Sequence, residues 1–520
     1  MNAGRVSPPD APVTPSVPGL PAVPGLPAVP ADWTLTLDGS VRRFADGRVL
    51  LGGAPLRILR LTDAGATMLG RWVAGEAVGR STGRTQLARR LLDAGIVHPV
   101  PTPAEIDPAT VTVVIPVCDD AEALAVTLES LRAGAHGVAG RLRVLVVDDG
   151  SAIPVEALVA DLAAGDTSGL EVTVHRRPQP GGPGVARQHG LARVRTALVA
   201  FVDAGVTVPT GWLAELGAHL ADDAVAAVAP RVGSRPGPSL LQRYEQAQSP
   251  LDLGAEPARV VPRGRVAYVP TAMLVARRAA LEAVGGFAPA LRYGEDVDLI
   301  WRLVAAGRTV RYVPEAVAQH RPRRSWRAWW RQRVGYGSAA APLAQRHPGQ
   351  VPPVQVSAWS AAAWLAAAAG HPLLGLAVAG GSTALLPRKL SALPEPRRRA
   401  IELAGAGHLH AGRWLGRAVL RPYWPLALAA ALVSRRARRA VLAAAVLPAL
   451  LDWRERRPAV HPAAFVGVRV ADDVAYGTGV WLGSLRRRTW AALWPDLTSW
   501  PGRSAQAQEP SSQLGARSSR

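Results

Sequence analysis

The sequence predicts an α/β protein whose centre is a parallel sheet with both faces covered. Between residues 111 and 202, four apolar, β-branched runs alternate with segments of helical periodicity, the pattern of strands joined by crossover helices. Three of those runs end in carboxylates, at Asp119-Asp120, Asp148-Asp149 and Asp203. Ligands of such sheets sit beyond the carboxyl ends of the strands. The stretch Leu145-Val-Val-Asp-Asp-Gly-Ser151 is the clearest case: a buried strand running into a tight turn that carries two acids.

At 520 residues the chain exceeds one hydrophobic core, so several domains are expected. Its formal net charge is +21, carried by arginine rather than lysine. Arginine suits phosphate recognition and anionic membrane surfaces. Nucleic acid is excluded as the partner, because no basic recognition helix, zinc pattern or aromatic RNA-binding signature accompanies the charge. The single cysteine, Cys118, rules out an intrachain disulfide and a cysteine-built metal site. No charged-then-apolar leader opens the chain.

Residues 1–31 repeat Pro-Gly-Leu-Pro-Ala-Val and read as a disordered, Pro-rich arm. Residues 32–103 form a small module. Short β-prone runs at 33–37, 42–44, 48–51 and 57–61 are separated by Asp-Gly and Gly-Gly turns. Thr62 caps a helix over 63–73, and Ser81 or Thr82 caps a second over 85–93. Hairpins followed by two helices suggest a winged-helix-like unit. Its order and size are similar to the peptide-binding domains that accompany ribosomal peptide maturation enzymes; a plain structural cap is the alternative. Pro99–Pro103 reads as a stiff linker.

The α/β domain spans 104–348. Strands are expected at 111–117, 142–147, 170–175 and 197–202, and helices at 121–133, 155–164 and 184–195. Between the acids lies Pro180-Gly-Gly-Pro-Gly-Val-Ala-Arg-Gln-His-Gly190. Its glycines let backbone approach a ligand closely, and the following helix offers free amides to an anion. Arg187 in the first turn adds a charged fork, so the loop reads as a diphosphate site. Glu295-Asp296 stands at the head of an apolar helix over 297–306, and His320 follows a strand over 309–313.

These residues resemble the inverting family 2 glycosyltransferases of GT-A (Rossmann-like) fold. The matching pieces are Ile115-Pro116 with Asp119, Val147-Asp-Asp-Gly-Ser151, Gly184-Val-Ala-Arg187, Phe201-Val-Asp203 and Gly294-Glu-Asp-Val-Asp-Leu299, covering about 110–335. The whole layout resembles the subgroup that serves mycofactocin biosynthesis, on the N-terminal module, Arg292–Arg302 and Tyr336–Pro348. The resemblance implies transfer of glucose, β-1,4-linked, from a UDP-sugar to a peptide-derived redox cofactor or its precursor. It assigns Asp119, Asp149, Arg187 and Asp203 to the nucleotide sugar, with Asp149 at the uracil and Arg187 at the diphosphate. It makes Asp296 the catalytic base. Glu295 and His320 become acceptor or diphosphate contacts, and Asp203 and His320 ligands of a divalent metal, Mg²⁺ or Mn²⁺. One departure stands out. The family's Asp-x-Asp metal motif reads Asp203-Ala204-Gly205, so the second acid is missing. Either the remaining carboxylate, phosphate oxygens and water hold the ion, or transfer is metal-independent or lost. Two alternatives follow: a membrane glycosyltransferase acting on a lipid-linked or polysaccharide acceptor, and a catalytically silent scaffold that binds nucleotide and peptide.

Residues 349–500 read as an apolar, helical, membrane-associated region. Arg321–Arg333 carries Trp326, Trp329 and Trp330 between arginines, as an interfacial helix does. Ser357–Pro387 is nearly uncharged but interrupted at Gly370-His-Pro372, giving one kinked span or two short helices. Apolar segments at 423–434 and 440–451 flank a basic turn, Arg435–Arg439, and one more helix is expected over 474–485. The expected location is the cytoplasmic side of the cell membrane. Residues 501–520 are polar and small and read as a disordered tail.

Overall fold

A computed structural model of the chain describes residues 27–498 except 105, 136–139, 165–168 and 392. Most of the expected Pro-rich arm and the whole of the expected tail lie outside the described residues. Two compact units are present, one of residues 27–353 with 416–494 and one built on 354–415 with the end of the described chain.

The first unit opens with β1 (Thr34–Leu37), β2 (Arg42–Phe44), β3 (Val49–Gly52), β4 (Arg57–Arg60), α1 (Asp63–Val73), α2 (Thr82–Asp93) and β5 (Val97–Val100). Strands β2, β3 and β4 form an antiparallel meander, and β1 pairs antiparallel with β5. The expected linker therefore begins inside a strand, because Val97–Val100 finds an open edge on β1. Thr62 caps α1 by accepting the Gly65 amide at 3.1 Å. Trp33, Trp72, Leu50 and Ile96 make the core, which also takes in Val29. Residues 27–31 thus pack with the module instead of extending the arm. The module is docked by charge: Arg89 donates to both oxygens of Asp222 at 2.9 and 2.6 Å, with both side chains buried.

The central domain runs β6 (Val111–Val117), α3 (Ala121–Ala135), β7 (Leu142–Asp148), α4 (Glu156–Ala164), β8 (Leu170–Arg176), α5 (Pro183–Leu191), β9 (Leu198–Val202), β10 (Val206–Thr207), α6 (Trp212–Ala218), β11 (Val225–Ser234), α7 (Leu240–Gln248), β12 (Ala258–Arg259), β13 (Met273–Arg277), α8 (Arg278–Ala283), α9 (Glu295–Ala305), β14 (Thr309–His320), α10 (Trp326–Ser338) and α11 (Ala340–Arg346). Sheet order is β10-β14-β11-β13-β9-β6-β7-β8, with β12 on β14. The half made of β9, β6, β7 and β8 is parallel, as expected. The sheet as a whole is mixed, because β13 lies antiparallel to both β9 and β11. Residues 235–272, with α7 and β12, connect β11 to its antiparallel neighbour β13. Both faces of the sheet are covered. Leu124, Leu128 and Trp212 belong to one core, and Ala186, Phe287, Leu299 and Ile300 to the other. This is why the strands read as continuous apolar runs.

Six helices follow: α12 (Ala358–Ala368), α13 (Pro372–Leu385), α14 (Pro396–Leu420), α15 (Trp424–Val433), α16 (Arg435–Arg456) and α17 (Pro462–Arg487). No described helix is long and apolar enough to cross a membrane. The kinked-span reading gives way to two helices broken at Gly370-His371, a C-terminal glycine at positive φ followed by proline at the next helix start. The expected basic turn is the first turn of α16, since arginine is a good helix former and Ser434 accepts the Ala437 amide at 3.3 Å. Helix α17 is twice the length expected and packs along α10. Added Cβ atoms at Gly337 and Gly479 would collide with the partner helix's backbone. The expected interfacial helix is therefore core on one side. Trp329 is buried against Tyr244 and donates to Glu245 at 2.8 Å, while Trp326 and Trp330 are exposed.

Candidate active site

The parallel half-sheet brings the strand-end acids together. Val117 and Asp148 are register partners, and the Asp149 amide donates to the Val117 carbonyl at 2.8 Å. Beyond β6, Asp119 takes positive φ and its Oδ1 accepts the Ala152 amide at 2.7 Å, while Ser151 Oγ accepts the Asp119 amide at 2.9 Å. The turns after β6 and β7 thus brace one another. Asp148 is wholly buried and is held by Arg176 and the Ser151 amide.

Asp149 is more heavily engaged. Its Oδ2 accepts the amides of Gly181 and Gly182 at 3.0 and 2.7 Å, and its Oδ1 accepts the Gly181 amide at 3.1 Å and the Arg177 guanidinium. A carboxylate with about four acceptor sites is then filled by the chain itself. In this structure Asp149, expected at the uracil, clamps the glycine-rich loop. Gly150 next to it has φ of 72°, and a Cβ there would meet the Pro180 backbone at 2.8 Å. Arg177, which completes the clamp, was not among the residues expected from the sequence. Its signal was available, as the second of two arginines at the end of β8.

Arg187 lies buried between two acids. Its Nη2 donates to Asp203 Oδ1 at 2.6 Å and its Nη1 to Glu295 Oε1 at 2.8 Å. Burial works against the guanidinium's charge, but Asp203 and Glu295 hold its pKa above the usual arginine value. Instead of an open diphosphate fork, Arg187 is the bridge that ties β9 to α9. Gly184, one helical turn earlier, makes this approach possible, since a Cβ there would come within 2.9 Å of Glu295.

Asp296 follows Glu295 in the first turn of α9, whose N-cap Gly294 has φ of 76°. Its carboxylate accepts the Val297 amide at 2.8 Å. Burial, then the neighbouring Glu295, pushes its pKa up to about 7. A half-buried carboxyl group that titrates near neutrality is suited to general base chemistry. Glu295 is raised by burial too, against the pull of Arg187. Tyr268 and Tyr336 stand close enough to Asp296 for its charge to add to the burial that raises their hydroxyls.

His320 ends β14 opposite Val206, three residues after Asp203. Burial lowers its pKa, partly offset by Asp203. These donors do not fit a protein-built metal site. Asp203 has one oxygen committed to Arg187, and Gly205 supplies none. Gly205 sits at φ of 89° with its amide donating to Thr127 Oγ1 at 2.9 Å, a backbone that an aspartate would adopt only under strain. Among the described residues no three His, Cys, Asp or Glu side chains are grouped to hold a metal ion. The expected metal pair, Asp203 and His320, is thus one shared carboxylate and one imidazole.

A family model described as glycosyltransferase-like family 2 matches residues 108–335. The pre-mycofactocin glycosyltransferase of Mycobacterium tuberculosis, in strains CDC 1551 / Oshkosh and H37Rv, is 40% identical over 476 residues, covering 89% of this chain and 98% of the relative. The chain belongs to the mycofactocin-system family 2 glycosyltransferases. A GT-A fold and a glycosyltransferase activity come with that membership. Solved structures similar to this glycosyltransferase include the mannosyltransferase PcManGT of Pyrobaculum calidifontis in complex with GDP-Man and Mn²⁺, at 20% identity and TM-score 0.35 over 59% of this chain and 87% of that one. S. aureus TarS 1–349 is similar at 15% identity and TM-score 0.35, over 73% and 92%.

Proposed function

We propose that this glycosyltransferase moves glucose from UDP-glucose to pre-mycofactocin with inversion, forming β-1,4 links as the chain of sugars grows. The near full-length likeness to a pre-mycofactocin glycosyltransferase supports the acceptor; sugar, donor and linkage follow from the family resemblance. One observation carries the chemistry: Asp296, half-buried, near-neutral in pKa and without an ion-pair partner among the described residues, lies beside the Arg187 bridge to the donor side. Its carboxylate takes the proton of the acceptor hydroxyl as that oxygen attacks the anomeric carbon. The bond to the diphosphate breaks on the opposite face, which inverts the configuration. The departing charge faces the N-terminus of α5, where a helix favours anions, and Arg323, whose charge reaches His320 and Tyr336. Asp119 and the Asp149-clamped loop form the nucleotide side, with Asp203 and Glu295 fixed by Arg187.

The N-terminal module then serves the peptide part of the acceptor. We place the enzyme on the cytoplasmic face of the membrane. The exposed Leu365, Leu373, Leu374 and Leu376 of α12 and α13 support surface association without a span. Incubation of purified protein with UDP-glucose and pre-mycofactocin tests the function: a glycosylated product with inverted linkage is expected, and UDP binding without any transfer would overturn it. Flotation of membranes after a high-salt wash tests the location.

A further inference from the structure

The family match ends at residue 335, yet Tyr336, Arg421 and Tyr476, all beyond it, belong to one cluster of aromatic and charged groups near α10. Helix α17 lies against α10 at backbone distance, and the Tyr476 carbonyl meets Gly337, the neighbour of Tyr336 on α10. There the Arg421 guanidinium stacks on the Tyr476 ring, its carbon 3.7 Å from the ring centroid. A Cβ at Gly477 would collide with the Arg421 carbonyl, so the stack requires glycine at that position. Asp473 holds the arginine, with Nη1 and Oδ1 3.6 Å apart. From the other side, Tyr336 accepts the Gln332 amide at 3.0 Å and meets the Tyr293 ring edge-on. Gly335 leaves room for that ring, because a Cβ there would strike it. Tyr293, whose ring Tyr336 meets, directly precedes the head of α9 where Asp296 lies, and Tyr268 is within electrostatic reach of Asp296, Tyr336, Tyr476 and Arg421. Each is half-buried, as groups lining a wall are.

We propose that Tyr476 and Arg421, with Tyr268 and Tyr336, form the acceptor subsite, which takes a flat, hydroxyl-bearing ring and holds its hydroxyl at Asp296. Phenol rings give such a ring an apolar face to lie on. The edge of the stacked guanidinium offers N–H groups to an oxygen of the ligand. The donor side has none of these tyrosines; its groups are acids, arginines and backbone amides. The helices after residue 335 therefore join Tyr268 of the matched core in setting what is glycosylated. This inference rests on the function proposed above, and the ring has two possible sources: the aglycone, or a sugar already attached.

The test uses the full chain, with pre-mycofactocin and its singly glucosylated product as separate acceptors and UDP-glucose saturating. Tyr476→Leu and Arg421→Met are each expected to raise the acceptor KM at least ten-fold. UDP affinity by calorimetry should stay within two-fold, and Tyr476→Phe should restore most of the acceptor KM. A KM effect confined to one acceptor identifies the ring that is bound. Acceptor KM values within two-fold of the unaltered protein would overturn the subsite. So would a parallel loss of UDP affinity and acceptor KM, which marks a general collapse of the fold. If the unaltered protein transfers to neither acceptor, the proposed function fails first, and that outcome is visible before any variant is made.

Discussion

Asp149 and Asp296 are both carboxylates at the mouth of one sheet, and they are treated in opposite ways. Asp149 is almost fully buried and spends both oxygens on Arg177, Gly181 and Gly182. Asp296 keeps one short bond to its own helix, and burial leaves its charged form costly. A charge that the chain has satisfied builds structure, whereas one left unsatisfied is a store of reactivity. Two neighbouring acids divide the same way: Glu295 is tied to Arg187, and Asp296, one residue on, is not.

The sharpest way to break this comparison is Asp296→Asn. Transfer should fall by about 10³-fold, within the range expected for a lost general base, with UDP affinity unchanged. The rate of the unaltered enzyme should rise with pH through about 7, as Asp296 loses its proton. Stability has the opposite sign. Because the folded pKa lies above the unfolded one, the folded state holds more protons between about pH 4 and 7 and loses stability as pH rises through that window. Asp296→Asn should therefore melt higher than the unaltered protein at pH 8. Initial rates, calorimetry and thermal melts check these; unchanged transfer would return Asp296 to the structural class.

Arg187→Met tests the satisfied side. It strands a buried Glu295 and leaves Asp203 without its partner, so a loss of about 3–5 kcal/mol in unfolding free energy is expected, along with weakened donor binding. Arg187→Lys should recover little, since one ammonium does not span two carboxylates as a fork does. Asp149→Asn is expected to be milder. It removes charge from bonds each worth about 1.5–3 kcal/mol but keeps one acceptor oxygen, so UDP affinity should drop roughly ten-fold with kcat less affected. Equal losses of UDP affinity and kcat would mean that Asp149 also serves the chemical step.

Much of this was legible in the sequence because local rules sufficed. The strand ends, the Thr62 cap and the head of α9 follow from periodicity, turn chemistry and capping. The family motifs alone bring Asp119, Asp149, Arg187, Asp203 and Asp296 into one neighbourhood. What could not be read was pairing at long range. Nothing near Arg187 in sequence says that Glu295, 108 residues away, will take it. Nor does the antiparallel placement of β13 leave a local trace. Tyr476 looked like one more residue of an apolar tail. It comes to lie against α10 only because glycines on α10 and α17 let two backbones touch.

The smallest effect expected is that of chelation, and it tests whether the donor side is complete as the chain builds it. The family's second acid would sit at 205, where φ of 89° favours glycine, while Asp203 has one oxygen on Arg187. With that carboxylate neutralised by an arginine, the local charge that would draw a divalent cation is reduced. Transfer in EDTA should then stay within about three-fold of the rate in Mg²⁺, a barrier change of well under 1.4 kcal/mol. A hundred-fold loss restored by Mg²⁺ or Mn²⁺ would show that Asp203 leaves Arg187 when the diphosphate arrives. The comparison would then move, with Asp203 joining Asp296 among the acids held in reserve.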